Sequence, residues 1–313
     1  MRPRTCGLNL IVLVSLVIGI PSGSCIYAQQ SGHYLQGATG LENGSDAPPG
    51  FYAAYLPWVD KIDSFQGPNG RTLLRPDLTV VAHNIAFQMT TDKKFLGASY
   101  GFQIIFPVVN TRVVADVLDA NVQEGGLSDL FFAPIVLGWT KGKADFLLDY
   151  GFYAPTGDFD PSVALNPGLG FWEHQIQAGT TYAFDKRKLW NASALSTWEI
   201  NQSKLGEDLK AGPMMNLEYS FGRRFDKYQM NAGAAGYIYK KLSADSGSDV
   251  GPLASGVLDR SFGLGPEWKY TNLKWHMGFD FRYERQFGVE GKTQGNVFAI
   301  GITYLDIFPP PHK

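Results

Sequence analysis

Cysteine is nearly absent from this sequence: of 313 residues only Cys6 and Cys25 are cysteines, and both stand at its N-terminal end. An exported chain without disulfides must hold itself together by a large core or by a sheet that closes on itself. A basic excess is also lacking. Lys and Arg number 27 against 29 Asp and Glu, which argues against a polyanion partner, so no nucleic acid is expected. Beyond Gly50 there is no helical stripe of useful length and no second long apolar run, so membrane-spanning helices are not expected. Nor is there a close histidine pair, a metal-ligand spacing or a His-x-Ser pair on one strand face: His83, His174 and His276 are followed two places on by Ile85, Ile176 and Gly278. The chain is therefore not expected to be an enzyme or to hold a cofactor or metal. The Gly233-Ala234-Ala235-Gly236 stretch lacks the Lys-Ser/Thr ending of a phosphate loop and reads as small-residue packing in a curved sheet.

What is present begins with an export signal. Arg2 and Arg4 form a basic start, residues 8–20 are apolar save Asn9, Ser15 and Gly19, and Pro21-Ser22-Gly23-Ser24 is the polar stretch expected before a cleavage site. Cleavage after Ala28 would leave a mature chain of about 285 residues with a net charge near -4 and no cysteine. Cys25 also raises a lipidated N-terminus, against which Ser22 stands where a large aliphatic residue is usual.

The remainder alternates with period two over segments of about 12 to 14 residues, the mark of a sheet with two unlike faces. In 171–184, Trp172, Ile176, Ala178, Tyr182 and Phe184 oppose Glu173, Gln175, Gln177, Gly179 and Thr181. In 274–287, Trp275, Met277, Phe279, Phe281, Tyr283 and Phe287 oppose Lys274, His276, Asp280, Arg282, Glu284 and Gln286. Soluble strands average about half this length, whereas a dozen residues tilted near 45° rise roughly 28 Å, the thickness of a hydrocarbon core.

The links give an independent test. Short polar links at 91–94, 141–143, 185–188, 223–227 and 271–273 alternate with long ones at 59–76, 110–127, 156–170, 202–209, 241–259 and 288–295. That is the rhythm of periplasmic turns and external loops. It predicts about twelve strands, at 51–58, 77–90, 95–109, 128–140, 144–155, 171–184, 189–201, 210–222, 228–240, 260–270, 274–287 and 296–308, with both ends periplasmic. Aromatics fall on the apolar parity at both strand ends. Trp139, Phe146, Phe184, Trp190, Phe221, Tyr228, Tyr270 and Trp275 stand by the short turns, and Trp172, Trp198, Phe262, Phe287 and Phe298 at the far ends. Rings at headgroup level are expected there. The expected fold is all-β, a transmembrane antiparallel up-and-down barrel over 51–308, after a signal peptide at 1–28 and a Gly/Pro-rich segment at 29–50, with a periplasmic proline tail at 309–313.

The same parity aims charges inward. The lumen-lining candidates are Asp149, Glu199, Glu218, Glu267, Lys269, His276, Asp280, Arg282 and Glu284, either as a structural ladder of ion pairs, as the lining of a solute path, or as both. The segment before the first strand reads as a flexible arm or, on the strength of His33, Tyr34, Pro48 and Pro49, as a plug folded partly into the lumen.

His33-Tyr34 followed by Gly37, Gly40, Gly44 and Pro48-Pro49-Gly50-Phe51-Tyr52 resembles the opening of the outer-membrane proteins grouped as the putative MetA-pathway of phenol degradation family. Gly126-Leu127-Ser128-Asp129-Leu130 and Tyr153-Ala154-Pro155-Thr156-Gly157-Asp158-Phe159 are similar to that family too. The resemblance runs over most of the mature chain. It implies a barrel that passes hydrophobic or aromatic compounds and brings no catalytic residues with it. Expected partners are outer-membrane lipids, the barrel-assembly machinery and small hydrophobic or aromatic solutes. A passive channel in a Gram-negative outer membrane is the leading expectation, with a non-specific porin and a structural or adhesive barrel acting through its external loops as alternatives.

Overall fold

The computed structural model describes residues 31–115, 120–162, 165–251 and 255–308, so the expected export signal, both cysteines and the expected proline tail lie outside the described residues. Fourteen strands form one antiparallel sheet: β1 Gly50–Gln66, β2 Thr72–Leu74, β3 Asp77–Phe95, β4 Ala98–Ala115, β5 Ala120–Leu127, β6 Leu130–Lys141, β7 Ala144–Ala154, β8 Glu173–Ala183, β9 Trp190–Asn201, β10 Met214–Phe225, β11 Met230–Lys241, β12 Arg260–Asn272, β13 Met277–Glu290 and β14 Thr293–Ile307. All but β2 and β5 make the wall. Each pairs with the next in sequence, and β14 returns to pair with β1, from Gly50 opposite Ile307 to Phe65 opposite Thr293. Closure removes both sheet edges, which is what a sheet needs in hydrocarbon, where an unpaired N–H or C=O has no water to bond.

The burial pattern is inside out. Phe146, Trp172, Trp198, Phe221, Phe281, Phe287 and Ile300 are exposed on the outer face, while Glu173, Asn216, Glu218, Glu267, Arg282 and Glu284 are buried. Along β8 the two classes alternate residue by residue, with Ile176, Ala178 and Tyr182 outside and Glu173, Gln175 and Gln177 inside. In water this arrangement would expose an apolar area far beyond that of an ordinary soluble monomer; in a bilayer it places apolar atoms against lipid and charges in the lumen.

Several features depart from the sequence reading, among them the expected loop at 288–295, which is a two-residue turn between β13 and β14. β1 continues through Gln66, across a region expected to be an external loop, because Trp58, Asp60, Ile62, Ser64 and Gln66 hold the inward parity although their polarity no longer alternates. β4 likewise continues through Ala115 and folds back as β5, pairing from Val108 opposite Leu127 to Ala115 opposite Ala120. Finally, β13 begins at Met277 rather than 274. Residues 273–276 are a turn in which the Trp275 and His276 N–H groups donate to the Asn272 and Leu273 carbonyls, and His276 takes a positive φ of 55°.

β5 and β6 both pair with β4, so β5 extends the line of wall strand β6 beyond a break at Ser128-Asp129. The break is bridged on one side by the Ser128 N–H donating to the Pro107 carbonyl (2.9 Å). On the other, Asp158 of the β7–β8 loop pairs with Leu127, its N–H donating to the Leu127 carbonyl (2.8 Å) and its carboxylate accepting the Leu127 N–H (3.0 Å).

Candidate functional site: the barrel lumen

Residues 31–49 run through the barrel interior from the periplasmic end, where the Pro49 carbonyl accepts the Phe308 N–H (2.9 Å), to the external ends of β6 and β8. The path is marked by wall carboxylates that accept the segment's own amides. His33 N–H donates to Glu173 on β8 (2.9 Å), Tyr34 N–H to Glu199 on β9 (3.1 Å), Thr39 N–H to Glu218 on β10 (2.9 Å) and Leu41 N–H to Glu267 on β12 (2.6 Å). Chain order and strand order advance together, so the glutamates form a staircase that the segment follows. A non-repetitive segment cannot satisfy its backbone amides internally, and a buried unmet amide costs free energy comparable to a lost hydrogen bond. The carboxyl oxygens supply the partners, each bond contributing on the order of 1 kcal/mol.

The glycines of the segment have a steric reason. A Cβ on Gly32 would run into the Glu199 carboxylate, and one on Gly40 into Glu267 and Arg282; Gly37, at a φ of 72°, faces Glu284. Side chains add further ties. Tyr34 Oη donates to Glu218 (3.0 Å), Trp58 Nε1 donates to the Gln36 carbonyl (3.0 Å), Lys292 Nζ donates to Gln36 Oε1 (2.8 Å) and Lys269 Nζ donates to the Leu41 carbonyl (2.7 Å). Nearer the periplasm, Glu42 pairs with Arg224 and accepts from Asn191, while Ser45 Oγ donates to Asp145 (3.1 Å).

At the external end His33 is fully enclosed. Its Nε2 lies 2.8 Å from Asp129 Oδ2 and its Nδ1 3.0 Å from Glu173 Oε2, and the ring stacks on Tyr153 at 4.4 Å. Asp129 also accepts the N–H groups of Gly157 (2.9 Å), Leu169 (2.8 Å) and Gly170 (3.2 Å). The three motifs that carried the family resemblance, around His33, Asp129 and Gly157, thus meet at one point.

Lys269 lies 3.3 Å from Glu267 and 3.7 Å from Asp280, while Arg282 lies 3.6 Å from Glu267 and 3.7 Å from Glu284. Asp149, Glu199 and Glu218 are buried on the inner wall. Two cavities of about 440 and 380 Å³ flank residues 38–43 near the periplasmic end, both lined by Glu42, Lys269 and Thr271.

Two placements correct the sequence reading. His276 does not line the lumen: the turn at 273–276 takes it off the strand, its Nδ1 lies 3.0 Å from the Leu305 carbonyl oxygen, and its ring stacks on Tyr304 outside. Pro48 and Pro49 stand at the periplasmic entry, with the Pro48 carbonyl accepting Tyr52 Oη (2.6 Å), and do not fill the lumen as His33 and Tyr34 do. Sequence reasoning missed Asp129, Asp60 and Lys292 as interior groups. A parity continued along β1 would have found Asp60; nothing in the local pattern of Lys292 points inward.

Outside the membrane, the β9–β10 and β11–β12 loops dock on each other. The Ser248 N–H (2.9 Å) and hydroxyl (2.8 Å) both donate to the Asp208 carboxylate, holding its pKa below the usual carboxylate value. The outward-facing His83 and His174 are bonded to Tyr55 (2.7 Å) and Tyr150 (3.0 Å).

A closed barrel of twelve wall strands with an apolar exterior and a carboxylate-rich interior is an integral β-barrel of the outer-membrane type. Residues 62–301 match the family described as Putative MetA-pathway of phenol degradation, and the chain belongs to that family. Among solved structures it is similar to an outer membrane channel from Pseudomonas putida F1, with a TM-score of 0.72 and 12% identity over 85% of this chain and 98% of that one. It is also similar to the beta domain of the Bordetella autotransporter Brka, with a TM-score of 0.51 and 14% identity over 83% and 100% of the two chains. No curated protein matches the chain.

Proposed function

We propose that this protein is a passive outer-membrane channel of a Gram-negative cell for small hydrophobic or aromatic compounds, with residues 31–49 acting as a plug that narrows its lumen. The observation that carries the reading is the occupied lumen. A non-specific porin needs a water-filled passage, whereas here the interior holds a segment tied to four strands by Glu173, Glu199, Glu218 and Glu267. Family membership and the fold shared with the Pseudomonas putida channel support the same reading. Export by residues 1–28 and delivery to the barrel-assembly machinery belong to it.

Cells lacking the protein should take up phenol-like compounds or fatty acids more slowly than their parent at limiting external concentration. A plasmid copy should restore the rate. Equal rates with and without the protein for both solute classes would refute transport and leave the structural or adhesive reading.

A further inference from the structure

Resting on the channel reading, we infer that the barrel admits neutral and cationic solutes and excludes anionic ones, because the carboxylates of its interior outnumber its fixed cations. Among the described residues, ten buried side chains are carboxylates, whereas the buried bases are Lys241 and Arg282, joined by His33 if it is counted as a cation. The interior cations are already engaged, Lys292 by Gln36 Oε1 (2.8 Å) and by the Tyr239 ring, 4.0 Å from its Nζ. Arg282 stands between Glu267 (3.6 Å) and Glu284 (3.7 Å), Lys269 between Glu267 and Asp280, and Lys241 lies 2.6 Å from Asp245. His33 faces two carboxylates at once.

Several of the carboxylates also lack a hydrogen bond. Both carboxylate oxygens of Glu284 are buried without a hydrogen-bond partner, as is one oxygen each of Asp60, Asp149 and Glu173. These groups stand on β13 and β1 and, across the barrel, on β7 and β8. Glu284 points at Gly37, the residue whose missing Cβ leaves that carboxylate its room. Any solute that passes between the segment and the wall meets this field, and low-dielectric walls focus it. A cation or a neutral ring enters without penalty from it; a carboxylate or phenolate does not.

Three one-ring probes of different charge separate the possibilities: benzyl alcohol, benzylammonium and benzoate, supplied to cells stripped of their general porins, with and without this protein. The protein should accelerate entry of the first two and leave benzoate at least about tenfold slower. Benzoate entering as fast as benzyl alcohol overturns the inference while leaving the channel reading intact; no acceleration of any probe overturns both. For purified protein in a planar bilayer under a KCl gradient, the reversal potential should have the sign of cation preference, and an anionic or unselective reading overturns the inference. Glu284→Gln keeps the volume and disturbs none of the segment's amide bonds, so it should weaken the cation preference about twofold or more. Unchanged preference in that variant would remove the lumen carboxylates as its origin and overturn the inference.

Discussion

Asp129 shows how much one side chain can hold in this molecule. Its two oxygens take three loop amides and a histidine ring, so it ties the broken wall strand, the β7–β8 loop and the N-terminal segment together at one buried point. Asp129→Ala would strip all four partners, and removing one member of such a buried set costs about 3–5 kcal/mol. The variant should lose its folded, fast-migrating gel form at a clearly lower temperature than the parent, with Asp129→Asn in between. The glycines make a second prediction. Gly40→Ala would drive a methyl group into Glu267 and Arg282, so the segment must shift at 38–42; single-channel recording should show higher conductance than the parent. The sequence discloses part of this. Parity aims Glu199, Glu218, Glu267 and Glu284 inward because alternation is a local property. The bonds of the first three to Tyr34, Thr39 and Leu41 span 165 to 226 residues of chain, and no local pattern records a partner so remote. His276 went astray for the converse reason: alternation was carried into a turn that has none.

At the scale of elements, strands were legible where one face met lipid, since only an apolar outer surface imposes period two. β8, with Ile176 and Tyr182 against Gln175 and Gln177, lies within two residues of its expected bounds. Beyond the hydrocarbon that pressure ceases, so the outer ends of β1 and β4 pair through their backbones while Asp63, Lys61 and Arg112 occupy the outer face. With 17 and 18 residues against 11 or 12 in β6 to β11, these strands carry the sheet well past the bilayer. The external loops depend on carboxylates too. Asp208, accepting twice from Ser248, has a depressed pKa and so contributes to loop docking above the unfolded carboxylate value of about 3.9. That contribution falls away as the pH drops below this value through the lowered one. Amide exchange in 202–209 and 242–251 should therefore speed up at pH 3 relative to pH 6 beyond the intrinsic pH effect. Asp208→Asn should reduce that difference.

The whole molecule is an inverted globule whose core is not apolar: lipid covers the outside, and a strip of its own chain fills the inside. Its near-neutral mean hydropathy of -0.12 averages two opposite surfaces, and a sheet that closes on itself needs no disulfide staple: Cys6 and Cys25 both precede its first strand. The channel reading turns on what residues 31–49 do in the lumen. Removal of residues 32–47 from the full protein, with heat-modifiable migration confirming that the barrel still forms, should raise single-channel conductance several-fold, since the deletion empties the axis of the barrel while leaving every wall strand in place. An unchanged conductance would contradict the plug and with it the difference between a narrowed channel and an open porin.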